Sequence, residues 1–274
     1  MRGDTRPDAH GPRRQEASEP TPRGAVVRAT GLTKRYGNAR ILRDVHLSVS
    51  RGERVAVLGL NGAGKTTLFR CCLGLTPFEG ELTVDGHPAG PAGREARRRI
   101  GYLPQQPPRF DLRLEEFLEI FAALRGMAAA GPREWLRELG LPLSEHGGKS
   151  LRELSGGMLQ KALLAIALGS GSPVLLLDEP TANLDATSRR EFLRALGQAE
   201  ESTTLLFASH RLDDVESLAT RLLVLHEGGF VFDGTAAELL ERAGIDVRVW
   251  LDRARPPALE EVMQALVARS GVPR

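Results

Sequence analysis

Between residues 25 and 50 apolar and polar positions alternate, as in "AVVRATGLTKRYG" and "ARILRDVHLSVSRGE". Alternation of this kind predicts half-buried antiparallel strands. "RVAVLGL" (54–60) is denser and fits a strand buried on both faces. A glycine-rich loop and a helix over 65–73 follow, then short strands at 80–86 and 98–105. From 111 the period lengthens. Leu114, Phe117, Leu118, Phe121 and Leu124 recur at helical spacing, and a second helix is expected from Pro132 to Gly140. This stretch, about 106–153, reads as a helical insert between two α/β portions. The strand pattern resumes with "PVLLLD" (173–178), a helix at "SRREFLRALGQA", a strand at "TTLLFAS" (203–209) and a hairpin turning at Gly228-Gly229.

Beyond the hairpin the tail reads as a small α/β unit of its own. Thr235 and Glu238 form a capping box for "AAELLERA", "VRVWL" (247–251) is a predicted strand, and Leu259, Val262, Met263, Leu266 and Val267 share one helical face. The opening residues, rich in Arg, Pro, Gly and acids, read as a disordered leader. The expected organisation is a leader over 1–24, a main domain over 25–234 and a C-terminal extension over 235–274.

Charge changes this picture little. A formal net charge of +2 over 274 residues is too balanced to argue for nucleic acid or an acidic membrane surface. No window approaches eighteen apolar residues, so nothing in the chain is expected to span a bilayer. Cys71 and Cys72 are adjacent and make a poor bridge. They read as core residues of a protein in a reducing compartment.

Candidate chemistry concentrates after the buried strands. "GLNGAGKT" (59–66) fits G-x-x-x-x-G-K-[ST], with the strand before it and the helix after it that the motif requires. Gly59, Gly62 and Gly64 let backbone N–H groups point inward at phosphate oxygens, and the helix presents its positive end there. Lys65 is placed to reach the outer phosphates, and Thr66 offers a hydroxyl to Mg²⁺. "VLLLDEP" (174–180) ends a buried strand in two carboxylates: Asp178 to hold Mg²⁺, and Glu179, leaving in another direction, to polarise water. His210 follows another predicted strand, on the edge where open α/β sheets collect ligands. "LSGGMLQK" (154–161) has neither general base nor metal ligand; Ser155 reads as a helix cap, with glycines that permit close packing.

Taken together, residues 26–234 resemble the nucleotide-binding subunit of an ATP-binding cassette (ABC) transporter, with the motifs in family order and spacing. "IGYLPQ" and the tail resemble ABC-2-type subunits. The resemblance implies an α/β P-loop NTPase (RecA-like) core with an antiparallel β subdomain and a helical subdomain. It implies that Tyr36 stacks on adenine, and that Gly59, Leu60, Asn61, Gly62, Ala63, Gly64, Lys65, Thr66 and Thr67 form the Walker A loop. Leu60 stands where proline is common. Gln105 is the Q-loop residue that contacts Mg²⁺ and the membrane partner, Asp185 belongs to the D-loop, and His210 is the switch histidine. Glu179, His210 and Lys65 form the implied catalytic group, and Thr66, Gln105 and Asp178 the implied metal ligands. "LSGGM" is the implied signature, with Met158 where glutamine is common. Two copies would pair head to tail, placing Ser155, Gly156 and Gly157 of one on the ATP of the other. ATP and Mg²⁺ are the implied cofactors. The implied function is hydrolysis that drives transport, export rather than import, through a separate integral membrane permease at the cytoplasmic face. The alternative is a soluble ABC ATPase acting on nucleic acid, a ribosome or a cytosolic assembly. "REARRR" (94–99), its candidate basic patch, reads as a solvated helix face, and no nucleic-acid partner is expected.

Overall fold

The computed structural model describes residues 24–246 and 258–270. The expected leader, Gly24 apart, and the expected strand at 247–251 lie outside the described residues. The alternating start of the chain forms β1 (Ala25–Tyr36) and β2 (Ala39–Ser50), which pair antiparallel. With β4 (Glu79–Val84) and the two-residue β5 (His87–Pro88) they make a four-stranded sheet of order β2-β1-β4-β5. The denser strands build a second sheet. These are β3 (Arg54–Leu58), β6 (Ile100–Leu103), β7 (Val174–Asp178), β8 (Thr204–Ala208), β9 (Arg221–His226) and β10 (Gly229–Gly234), in the order β10-β9-β3-β8-β7-β6. The pairs from β9 through β6 are parallel, and β10 closes the edge antiparallel to β9.

Period-two alternation divides this second sheet between two cores. Val55, Val57, Leu176, Leu206 and Leu223 face one apolar cluster, shared with the β1–β2 sheet and with α1 (Lys65–Cys72). Ala56, Leu58, Leu175, Leu177 and Phe207 face the other, shared with α6 (Gly156–Gly169) and α7 (Ala186–Gly197). Each fully buried Leu or Phe here stabilises the fold by about 1.5–3 kcal/mol. Cys71 and Cys72 are free and buried in the first cluster, and burial pushes their thiols up to about 11 and about 12. The expectation of core cysteines holds.

The helical insert contains α3 (Leu114–Arg125), α4 (Ala130–Glu138) and the short α5 (Leu143–His146). Of the apolar positions at helical spacing, Leu124 is 74% exposed. The buried face of α3 is Leu114, Leu118 and Ala122. At 100° per residue, Leu124 falls about 120° from the centre of that face. Arg125 ends the helix and ties it to the sheet, donating to the Ile100 carbonyl at 2.9 Å and to Ser172 Oγ at 2.8 Å. α2 (Arg94–Arg98) carries the basic run, whose arginines hold local partners: Arg97 the Gly90 and Pro91 carbonyls, Arg99 the Asp85 carboxylate.

The tail is less separate than its pattern suggests. α9 (Ala236–Ala243) has the expected Thr235–Glu238 capping box. On it packs α10 (Leu259–Ser270), and Leu259, Val262, Met263 and Leu266 enter the same apolar cluster as α6 and α7.

Candidate functional site

The C-terminal ends of β3, β7 and β8 converge on one edge, the usual ligand edge of a parallel sheet. β3 runs out into the glycine-rich loop, and Gly64, at φ 112°, starts α1 in a conformation that an L side chain resists. Lys65 is buried beneath the loop. Its Nζ donates to the Gly59 carbonyl at 2.6 Å and to the Leu60 carbonyl at 3.4 Å, and lies 3.7 Å from Glu179 Oε1.

Asp178 closes β7 with 1% of its surface exposed. Neither of its carboxylate oxygens has a hydrogen-bond partner. Burial raises its pKa above the usual carboxylate range; the neighbouring Thr66 hydroxyl opposes the rise without closing a hydrogen bond, and Glu179 adds to it. A buried carboxylate with open lone pairs beside a hydroxyl is a setting for a hard divalent cation. Among the described residues no cluster of three His, Cys, Asp or Glu side chains offers another.

Glu179 donates its N–H to the Ala208 carbonyl at 3.0 Å, extending the β7–β8 ladder by one bond. Its φ of 50° then turns the chain, so its carboxylate leaves in a different direction from that of Asp178. Glu179 Oε2 lies 2.6 Å from His210 Nδ1. A carboxylate accepts, so the ring carries a proton on Nδ1 in this arrangement. The imidazole is otherwise half exposed, at 54%, and turned toward the opening.

A cavity of about 490 Å³ collects residues 60–67 with Tyr36, Gln105, Asp178 and Glu179. Adjoining it, a second of about 300 Å³ is walled by Gly59, Gln105, Glu179 and His210, and by Ala258–Glu260 at the start of α10. The residues expected from the loop and from the two strand ends are therefore together.

Residues 42–182 match the family model of the ABC transporter. The chain belongs to the ABC transporter family. It is an ATP-binding cassette and an ATPase coupled to transport. Among its relatives is the Nod factor export ATP-binding protein I of Burkholderia orbicola, 35% identical over 258 residues, which are 90% of this chain and 83% of that one. The linearmycin resistance ATP-binding protein LnrL of Bacillus subtilis is 30% identical over 233 residues, 82% of this chain and 74% of that one. The solved structure of the ATP binding subunit of an ABC transporter superposes with a TM-score of 0.76 at 27% identity, covering 88% of this chain and 99% of that chain.

The remaining expected residues of this ABC cassette lie outside both cavities. Ser155 caps α6, its Oγ accepting from the Met158 N–H at 3.2 Å. Ser155 and Gly156 are exposed, and Met158 packs on the adjacent apolar cluster. Asp185 caps α7, accepting from the N–H groups of Thr187 and Ser188, both at 2.9 Å. Those bonds and the Ser188 hydroxyl hold its carboxyl below the usual range.

Residues that no motif marks also belong to this region. Ile41, from β2, lines the larger cavity. Gln160 is buried on α6 and donates Nε2 to the Pro180 carbonyl at 2.9 Å, which ties the signature helix to the segment just past Glu179. Its sequence signal is position: with Lys161 it is one of two adjacent polar residues in a helix that is apolar from Ala162 to Leu168. Behind the loops sits Asp214, on α8 (Leu212–Leu218), entirely buried.

Proposed function

We propose that this ABC cassette works as a pair of identical chains, each ATP held between the phosphate loop of one and the Ser155–Gly156–Gly157 helix end of the other. The observation that carries the reading is the open space at Gly156. A Cβ built there meets nothing within 4 Å, and the residue is not at positive φ. Nothing in its own chain asks for glycine. A bare backbone at an exposed, capped helix start suits close approach of a phosphate arriving from outside.

Within one chain, the N–H groups of the loop and Lys65 bind the outer phosphates, which release Nζ from the Gly59 carbonyl. Tyr36, 46% exposed at the cavity rim, offers its face to adenine. Glu179 orients the attacking water and accepts its proton, and His210 holds the Glu179 carboxylate in line. Thr66, Asp178 and Gln105 would hold a magnesium ion, which when bound would supply positive charge to offset that of the phosphates. Loss of the γ-phosphate removes the bridge between the two chains and lets them part. A membrane permease reads that motion at the cytoplasmic face through the helical insert that follows Gln105. The export and resistance proteins among the relatives support export as the direction.

Mixed pairs test the shared site. Lys65→Ala and Gly156→Asp chains should each be inactive alone. Mixed one to one, they form some pairs with one intact site, and about a quarter of the wild-type rate should return. A mixture no more active than its separate components would overturn the reading.

A further inference from the structure

Asp214 gathers three segments of the site onto one carboxylate. Its Oδ2 accepts from Ser209 Oγ at 3.1 Å and from the Thr181 hydroxyl. Its Oδ1 accepts from Arg189 Nε at 2.8 Å and pairs with the second guanidinium nitrogen at 2.7 Å. Thr181 lies two residues past Glu179 on the way out of β7. Ser209 immediately precedes His210 on the way out of β8. Arg189 is on α7, and its N–H donates to the Asp185 carbonyl at 2.9 Å, so Asp185 is held to the same unit. Ser209 also accepts from the Arg211 N–H at 3.0 Å, which fixes the far side of the histidine.

A wholly buried carboxylate persists only where hydrogen bonds and an opposite charge replace its water. That requirement acts in both directions: the anion forces its three partners to stay in one arrangement. The need for such restraint is plain at Glu179. A non-glycine residue at φ 50° keeps that conformation only where its surroundings over-determine it. The bond from Glu179 N–H to Ala208 holds one side of the turn, and the Thr181–Asp214 bond holds the other.

We infer that Asp214 is a positioning residue for ATP hydrolysis. It fixes the loop carrying Glu179 and Asp185 and the loop carrying His210 as one body, and so keeps the Glu179–His210 contact aligned. The inference rests on the roles proposed above for Glu179 and His210.

The test uses the full chain with Asp214→Asn, and with Thr181→Val and Ser209→Ala, which each take one hydrogen bond from the Asp214 carboxylate while the Asp214–Arg189 pair remains; Ser209→Ala also loses the Arg211 N–H contact. Nucleotide affinity should stay within about twofold while kcat falls, about tenfold or more for Asp214→Asn and several-fold for the other two. Without nucleotide, amide hydrogen exchange at residues 181–185 and 209–211 should quicken together in each variant. A lowered melting temperature with kcat within twofold of wild type would mark a merely structural residue and overturn the inference. So would faster exchange confined to the loop that carries the substitution, and the Thr181→Val and Ser209→Ala chains decide if Asp214→Asn does not fold. Should Glu179→Gln keep its turnover, the catalytic assignment fails, and the exchange result still judges Asp214.

Discussion

Gly64 and Gly156 both begin helices near a proposed phosphate position, and the reasons for glycine at the two are opposite. At Gly64 the chain itself demands it: φ is 112°, and a Cβ would sit 3.0 Å from both the Ile41 carbonyl oxygen and Leu42 Cδ2. At Gly156 the chain demands nothing, since a Cβ would meet open space. The same contrast runs through the neighbouring groups. Around the phosphate loop the charged side chains are engaged with one another: Lys65 and Glu179 are buried side by side, and Glu179 holds the half-exposed His210. Around Ser155 the helix end faces solvent with its cap already made. One half of the site is built by its own fold, and the other is shaped for a surface that the single chain lacks. At Gly156 the exposed, capped helix start is what gives the open space a use.

The largest effect expected is at the group both halves serve. Glu179→Gln should lower phosphate release by about 10²–10³-fold, as loss of a positioned base does. It leaves both ends of the shared site in place, so a dimer should accumulate with ATP and be visible by light scattering. Wild-type turnover in this variant would move the base elsewhere.

Next comes the direct break of the comparison, the same substitution at both glycines. Gly64→Ala places a Cβ at positive φ against backbone and should cost about 1–3 kcal/mol of stability, read as a lower melting temperature. Gly156→Ala should leave stability unchanged or raise it by up to about 1 kcal/mol, since alanine favours a helix start. Yet it should abolish ATP-driven dimerisation. If the stability effects were reversed, or if Gly156→Ala dimerised normally, the contrast would collapse.

What could be read before folding divides along similar lines. The loop from Gly59 to Thr67 and the acid pair at 178–179 are local in sequence, so flanking strand and helix patterns were enough to place them. The dense apolar run at 54–60 likewise marked a strand buried on both faces, and the folded sheet divides the residues of β3, β7, β8 and β9 between two cores. Leu124 shares the helical spacing of its apolar neighbours and yet is exposed, because spacing alone does not separate packed from solvated positions. Asp214 was invisible for a different reason. Its partners stand 33, 25 and 5 residues away, and only the folded sheet edge brings them together. The positive φ of Glu179 and the approach of α10 to its cavity are also products of tertiary closure. Local chemistry was legible, and convergence was not.

The smallest effect is at Asp178, and it sharpens the idea that the phosphate-loop half is built in advance. Burial raises the carboxyl's pKa in the folded chain above its unfolded value near 4. The folded state therefore holds a proton that the unfolded state has already released. Between the two pKa values each rise in pH lowers the unfolding free energy, and above the folded pKa the full penalty is present. Asp178→Asn has no such titration. Without nucleotide it should be more stable than wild type by about 1–2 kcal/mol at neutral pH, and the advantage should vanish below the unfolded pKa. Parallel melts of both chains across pH isolate this group, because every other carboxylate is common to the two. Added MgATP should then reverse the order, raising the wild-type melting temperature and moving that of Asp178→Asn less. An Asn chain less stable than wild type in the absence of nucleotide would mean that the carboxylate is already satisfied by its own fold. The phosphate-loop half would then hold no charge in wait for a cation.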